Sequence, residues 1–246
     1  MKRLGIVKTA AGEGYDAEFM DAMASEYEER TPWTLMRLEN VRFLVDPQPG
    51  DRVLDLGSAA GAMAHYLSTF GCRAVGVDSS ELGVEYARKR YPDLRFEVAD
   101  VAALPFEEAS FDKVVAADLT EHLDEQTLRA MLAECRRVLV PGGTVSIHTP
   151  NPGHLIERLK RRNLILAQNP THIGLTTSAE LRAELERARF AVDVDVKRPG
   201  FFPVLRSFER LSRGRIDLFG YRICMRGRKP PTTKPVDPVP VLPAES

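Results

Sequence analysis

The stretch that most constrains the fold is a strand, a loop of small residues and a helix in immediate succession, VLDLGSAAGAMAHYL at residues 53–67. The segment 53–56, apolar except for Asp55, predicts a buried strand, and 60–70 has the apolar spacing of an amphipathic helix. Between them, Gly-Ser-Ala-Ala-Gly at 57–61 has side chains small enough for a ligand to approach the backbone closely. The spacing differs from the G-x-G-x-x-G of dinucleotide-binding turns, so other residues must identify the ligand.

Strand patterns alternate with helix patterns along the chain, which predicts an α/β fold built on a doubly wound, mostly parallel sheet. Pro141-Gly142-Gly143 is expected to separate a helix from the fifth strand, because neither residue type continues a helix well. The seven predicted strands are 52–57, 73–78, 94–100, 111–118, 143–149, 191–197 and 218–226, and the predicted helices are 17–30, 33–45, 60–70, 80–91, 125–138 and 178–189.

We predict three segments of different character. Residues 1–46 form an N-terminal helical cap over the acceptor site, and 47–229 form the sheet domain with an insertion at 151–177. The last segment, 230–246, is rich in proline and is expected to be disordered.

Length and composition bound the class of protein. The chain has 246 residues, 43% of them hydrophobic and 28% charged, which indicates a globular α/β protein. No run approaches the roughly 18 apolar residues that a membrane span needs, and the N-terminus has no pattern of a signal peptide. The three cysteines lie far apart, so we expect free thiols and a cytoplasmic location. No metal-ligand spacing is visible, and we expect no metal.

Acidic residues follow three of the predicted strands. Asp78 ends the second strand, 21 positions after Gly57, which is close to the spacing at which a carboxylate meets a ribose diol. Asp100 ends the third strand and Asp118 the fourth. Because ligands of open α/β sheets bind at the carboxyl ends of the strands, these residues predict a nucleotide-containing ligand there.

Five segments together resemble the class I S-adenosylmethionine-dependent methyltransferases over about residues 35–197, and within them the small-molecule, ubiquinone-biosynthesis-like branch. The resemblance implies a Rossmann-like sheet, S-adenosyl-L-methionine as the cofactor, and transfer of its methyl group. The loop of the family has glycine where this chain has Ala59, and often cysteine or glycine where it has Ser58. The five segments are VLDLGSAAG, AVGVDSS, VADVAALPF, SFDKVVAADLTEHL and RRVLVPGGTVSIHTPN.

The same resemblance assigns the cofactor contacts. Asp78 would hold the ribose, Asp100 and Val101 the adenine, and Asp55 the loop and the methionine amine. Arg37 has the chemistry for the cofactor carboxylate, because guanidinium pairs with carboxylate in a bidentate way. The complete set of predicted cofactor-binding residues is Arg37, Asp55, Gly57, Ser58, Gly61, Asp78, Ser79, Asp100, Val101 and Asp118.

The predicted catalytic residue is His122, which follows the fourth strand in Thr-Glu-His-Leu. A histidine titrates near neutral pH and can act as a base toward a hydroxyl or amine acceptor. The other interpretation, that the Glu-His pair only supports the loop, stays open. His148, His154 and His172 are expected on the acceptor side, whereas His65 is expected to serve packing.

Charge is divided unevenly along the chain. Residues 1–150 hold 16 Lys and Arg against 25 Asp and Glu, a balance of −9, and 151–229 hold 17 against 8, a balance of +9. The basic half predicts a small-molecule acceptor that is anionic or amphiphilic, with at most peripheral membrane contact. Aromatic residues do not interleave with the basic ones, so nucleic acid is not favoured. The basic residues singled out are Arg158, Lys160, Arg161, Arg162, Arg206, Arg210, Arg213 and Arg215.

The alternative function is a catalytically inactive methyltransferase-fold binding module. The alternative remains because Ala59 stands where the loop of the family has glycine.

Overall fold

The computed structural model describes residues 17–162, 172–198 and 220–231, without the side chains of 17–19 and 161. Within these ranges, the chain alternates between strands and helices as the sequence predicts. The helices are α1 (Ala17–Glu28), α2 (Pro32–Val45), α3 (Ala62–Ser68), α4 (Glu81–Arg90), α5 (Glu125–Val138), α6 (Leu155–Arg161) and α7 (Ser178–Arg187). The strands are β1 (Arg52–Leu56), β2 (Arg73–Asp78), β3 (Arg95–Val98), β4 (Phe111–Ala117), β5 (Leu139–Pro150), β6 (Ala191–Arg198) and β7 (Arg222–Arg228).

All seven strands form one sheet in the order β3-β2-β1-β4-β5-β7-β6. The first five are parallel, and β7 runs antiparallel between β5 and β6. The order reverses beside β1, between β1 and β4, which is the switch point where such sheets bind ligands. The predicted mostly parallel, seven-stranded sheet is confirmed.

Helices cover both faces of the sheet. On one face, α5 packs on β5 and α7 packs on β6 and β7, and they bury residues such as Met131, Leu132 and Leu181. On the other face, α2, α3 and α4 bury residues such as Val41 and Leu67. Side-chain caps fix where several helices begin, because each satisfies a backbone N–H that has no partner in the helix; the capping residues are Thr31, Ser80, Asp124 and Thr177.

The expected break at Pro141-Gly142-Gly143 is wrong. The segment stays within β5, and the pairing with β4 jumps from Phe111–Leu139 to Lys113–Thr144. The extra residues form a bulge, in which Gly142 takes φ +83°, a backbone conformation that favours glycine.

The three predicted segments are described in part. Helix α2 of the predicted cap packs directly on the sheet through Val41, Leu44 and Val45, which are all buried. Residues 1–16, residues 163–171 of the predicted insertion and residues 232–246 of the predicted tail lie outside the described ranges. In the described part of the chain, no helix is both long enough and apolar enough to cross a membrane.

Candidate active site

A cavity of about 800 Å³ opens at the carboxyl ends of β1 to β5. This is the edge where α/β sheets bind ligands, and the size lies in the range of small-molecule sites. Three of the predicted site residues, Asp55, Ser58 and Gly61, do not line it. The predicted residues that do line it are Arg37, Gly57, Asp78, Ser79, Asp100, Val101, Asp118 and His122.

The loop after β1 is held in a left-handed backbone conformation at three positions. Gly57 has φ +69°, Ala59 φ +44° and Gly61 φ +81°. A Cβ on Gly61 would lie 2.8 Å from Cζ of Phe96, so this glycine serves the packing of the loop rather than contact with the cavity. Ala59 takes the same kind of conformation with a methyl group, which costs roughly 1–2 kcal/mol in an L-residue.

Asp78 ties the loop to the end of β2. Its Oδ2 accepts the backbone N–H of Ala59 at 2.8 Å, and its Oδ1 accepts the N–H of Ser80 at 2.8 Å. A carboxylate has about four acceptor positions, so two bonds to the backbone fix the group and leave capacity for a diol. The carboxylate is therefore oriented before any ligand arrives.

The next acidic residue along this edge, Asp100, is exposed. Its Oδ1 accepts the N–H of Ala102 at 2.8 Å, which fixes the turn after β3. Val101 beside it is only 9% exposed and gives the cavity an apolar wall. A carboxylate above an apolar wall suits a flat base with an exocyclic amine.

Asp55 lies behind the loop and is 2% exposed. It borders a second, small space of about 30 Å³, together with Tyr27, Arg37 and Ser58. Burial, opposed by a backbone hydrogen bond from Ala64, raises the pKa of Asp55 to about 8. Its Oδ2 has no hydrogen-bond partner within the described ranges. A buried carboxylate oxygen of this kind can receive a cationic amine.

Asp118 is the centre of a charge cluster. Arg37 forms an ion pair with it, Arg222 lies 3.7 Å away, and Nδ1 of His148 lies 3.3 Å away. Burial opposes ionisation, but Arg222, Arg37 and His148 outweigh it and hold the pKa of Asp118 well below its usual range. Asp118, predicted as a cofactor contact, is thus neutralised by the protein's own cations.

Arg37 is fixed by more than this ion pair. Its Nη1 donates to the hydroxyl of Tyr27 at 2.8 Å, while its Nε has no partner in the described part of the chain. Burial raises the pKa of Tyr27 to about 12, so its hydroxyl stays neutral. Arg37 retains a buried donor that a ligand carboxylate can accept.

Arg222 was not predicted as a site residue. It lies on β7, whose antiparallel pairing sets Arg222 opposite Pro150 at the end of β5. Its guanidinium lies 4.6 Å from the ring of Trp33 and 4.9 Å from that of Tyr221, and all three residues line the cavity. A guanidinium held against two aromatic rings that themselves pack edge to face is a preorganised cation.

His122 lies on the cavity wall in a short 3₁₀ helix, Thr120–His122, and has His172 beside it with ring centroids 5.0 Å apart. Burial and the nearby His122 lower the pKa of His172 to about 4. Burial and Asp118 raise the pKa of Glu121, the residue before His122, to about 7. Glu121, His122 and His172 bring their ligand atoms within 4.8 Å of one another. This grouping was not visible in the sequence, because His172 is distant along the chain.

The structure agrees with the predicted location of some of the other histidines and not of others. His148 and His154, expected on the acceptor side, are 1% and 0% exposed and do not line the cavity. Burial lowers the pKa of His148, although Asp118 opposes the shift. His65 stacks on Tyr91 with ring centroids 4.4 Å apart, which confirms its packing role.

The basic half reaches the cavity through one described lysine and Arg222. On α6, Lys160 lines the cavity and pairs with Glu157 at 2.8 Å. Arg158 and Arg162 are exposed and do not line it. The side chain of Arg161 and the predicted basic residues of 201–215 lie outside the described part of the chain.

The strand order and the cavity at the switch point define the class: this is a class I, Rossmann-like methyltransferase fold. Residues 53–143 match the family described as a methyltransferase domain. The chain is 36% identical over 144 residues to a probable S-adenosylmethionine-dependent methyltransferase of Mycolicibacterium smegmatis, covering 58% of this chain and 53% of the relative. It is 33% identical over 166 residues to a protein of the same description from Mycobacterium tuberculosis, covering 67% of this chain and 57% of the relative.

Solved structures share the same fold. A SAM-dependent methyltransferase from Archaeoglobus fulgidus superposes with a TM-score of 0.63 at 20% identity, covering 87% of this chain and 100% of the other. Residues 53–143 therefore form a methyltransferase domain, and the relatives similar to this chain are described as S-adenosylmethionine-dependent. The chain spans about half the length of the curated relatives it matches.

Proposed function

We propose that this protein transfers a methyl group from S-adenosylmethionine to a small-molecule acceptor that binds in the same cavity. The observation that carries the proposal is the carboxylate of Asp78, which two backbone N–H groups hold at the edge of an 800 Å³ cavity. A ribose diol is the ligand group that this arrangement suits, because the carboxylate can accept from both hydroxyls.

The rest of the cofactor has matching partners. The unpartnered oxygen of Asp55 suits the ammonium of the methionine part, and the buried Nε of Arg37 suits its carboxylate. Asp100 suits the adenine amine. We assign these contacts by chemical complementarity along one edge of the sheet.

S-adenosylmethionine supplies a methyl group on a positively charged sulfur, so the protein mainly has to hold the acceptor in line and exclude water. The acceptor side of the cavity is lined by Trp33, Leu119, Leu123 and Tyr221, which exclude water. For a hydroxyl acceptor, a base is also needed, and the predicted base is His122 on the same wall.

The lining favours an acceptor that is anionic and partly apolar. Arg222 supplies a fixed cation against the rings of Trp33 and Tyr221, and Lys160 adds a second one near Glu157. Aromatic faces next to a guanidinium suit a flat acceptor with a negative group. We infer small-molecule specificity from this lining, and the cytoplasmic location and the ubiquinone-like branch stay predictions.

The alternative of an inactive binding module depends on Ala59. The residue packs at the edge of the cluster formed by Met20, Ala24 and Ala60, so α1 and the loop give its methyl group a place in the fold. A module without chemistry would bind the cofactor and form no S-adenosylhomocysteine.

The test compares Asp78→Ala with Asp93→Ala, an exposed acid in the turn before β3. Loss of charge-assisted hydrogen bonds costs about 1.5–3 kcal/mol, so Asp78→Ala should weaken cofactor binding about 10- to 150-fold in calorimetry. Asp93→Ala should leave it unchanged. Incubation of the wild type with methyl-labelled cofactor and a pool of lysate metabolites should then label a small molecule. Equal affinities in the two variants would refute the ribose assignment, and binding without any labelled product would favour the inactive module.

A further inference from the structure

Three side chains with metal-binding chemistry meet on the acceptor wall of the cavity. Glu121, His122 and His172 each offer one ligand atom, and the three atoms lie within 4.8 Å of one another. All three residues line the cavity. Two imidazoles and a carboxylate are the donor set of many catalytic zinc sites, which keep a further position open.

The carboxylate of Glu121 is oriented by a hydrogen bond from a buried side chain. Glu121 is 2% exposed, and its Oε2 accepts a hydrogen bond from the hydroxyl of Thr149 at 3.0 Å. Thr149 is itself 2% exposed, at the end of β5. Such partners behind the ligands orient them and are part of a working metal site.

The segment that carries His172 is fixed to the same loop. The N–H of Gly174 donates to the carbonyl oxygen of Glu121 at 2.9 Å. A Cβ on Gly174 would collide with the carbonyl of Leu123, so only glycine lets the two segments approach this closely. His172 is thereby brought beside His122, with the ring planes at 81°.

We propose that Glu121, His122 and His172 bind one divalent transition-metal ion on the acceptor wall. Ligand atoms around a tetrahedral zinc ion lie about 3.4 Å apart, so the side chains have to close by about 1 Å on binding. Imidazole ligands favour zinc, cobalt or iron over magnesium and calcium, which prefer oxygen.

The ion would also define the acceptor. One carboxylate and a divalent ion leave a positive charge, and three protein ligands leave at least one position facing the cavity. An acceptor that carries a hydroxyl or carboxylate oxygen next to the methylated atom fits this position. This role rests on the proposed function, whereas the binding of the ion does not. On this proposal, His122 is a metal ligand, so ion binding replaces both its role as the base and the loop-support interpretation.

The experiment uses the full chain, freed of metal by a chelator and titrated with Co²⁺ in the absence of cofactor and acceptor. We expect a visible spectrum of four- or five-coordinate cobalt, which Zn²⁺ displaces, with a dissociation constant below about 10 µM. His122→Gln and His172→Gln should each weaken binding at least tenfold. His65→Gln, the same change at an exposed histidine on α3, should leave it unchanged. Gly174→Ala should also weaken binding, because it displaces His172 without changing a ligand.

The proposal is overturned if cobalt keeps the spectrum of the aqueous ion, or if His65→Gln weakens binding as much as the two ligand variants. If a ligand variant fails to fold, judged by circular dichroism, X-ray absorption of the zinc-loaded wild type decides instead. Two imidazole ligands in the coordination shell of the zinc ion support the site, and a coordination shell of oxygen atoms alone refutes it. Because no methyl transfer is measured, an inactive enzyme that binds cobalt in this way would contradict the proposed function and leave the metal site standing.

Discussion

Binding of S-adenosylmethionine should release a proton from Asp55, and the number released can be worked out from the structure. Burial raises the pKa of this carboxyl to about 8. At pH 7, a group with that pKa is about nine-tenths protonated. If the ammonium of the cofactor pairs with the unpartnered Oδ2, an adjacent cation lowers the pKa and the proton leaves.

The amino group of the cofactor takes up a smaller number of protons on binding, which offsets part of the release from Asp55. An α-amino group has a pKa of about 7.7–8.0, so about one-tenth of the free ligand is unprotonated at pH 7 and takes up a proton on binding. The net expectation is the release of about 0.8 proton per site at pH 7. The apparent affinity should accordingly increase between about pH 6 and pH 7.5.

Calorimetry in buffers of different ionisation enthalpy measures this number directly. In Asp55→Asn, which keeps the size of the side chain, the release should disappear and the affinity should no longer increase with pH. A wild type that releases no proton, or a variant that releases as many as the wild type, would show that Asp55 does not meet the ammonium.

Four other results are expected from the same structure. Gly61→Ala should lower the free energy of unfolding by about 2–4 kcal/mol, and the melting temperature with it, because φ +81° disfavours alanine and the new methyl would lie 2.8 Å from an aromatic carbon. Ala59→Gly should leave stability within about 1 kcal/mol, since relief of the left-handed strain offsets the entropy of glycine, and cofactor affinity in calorimetry should be equal or higher. Once an acceptor is known, Lys160→Gln should raise its KM, whereas Arg158→Gln, on the exposed side of α6, should not. Without cofactor, the native state holds a proton on Asp55 between about pH 4 and pH 8 that the unfolded chain has lost, so this group should lower thermal stability progressively as pH rises from about 4 to about 8 and no further above that, and Asp55→Asn should reduce that fall.

The parallel half of the sheet was predictable because its signals are local. The apolar run before Gly57 and the strand that ends at Asp78 each depend on neighbouring residues, and the structure places both strands at the predicted positions. The spacing between these two residues follows from one strand–helix–strand unit. The strands that carry the predicted cofactor contacts were therefore predictable, whereas the contacts themselves stay predictions, and Asp55, Ser58 and Gly61 do not line the cavity.

The acceptor edge was not predictable in the same way, since it depends on contacts between distant segments. Arg222 reaches the cavity only because β7 runs antiparallel beside β5. His172 reaches His122 only because Gly174 allows a close approach to the loop after β4. No periodicity in the sequence predicts the antiparallel pairing of β7 with β5 or the close contact between the Gly174 segment and the loop after β4. The basic residues of α6 were recognised, but which face of the helix meets the cavity is decided by packing.

The charge cluster at Asp118 explains why these distant segments have to meet. Arg37 comes from α2, His148 from β5 and Arg222 from β7, and Asp118 at the end of β4 is the acid that all three contact. A buried arginine without a counter-charge is strongly unfavourable, so docking of α2 and pairing of β7 each depend on the same carboxylate. Because Asp118 is ionised and these cations already match its charge, neither of the two proposed ligands has to neutralise it.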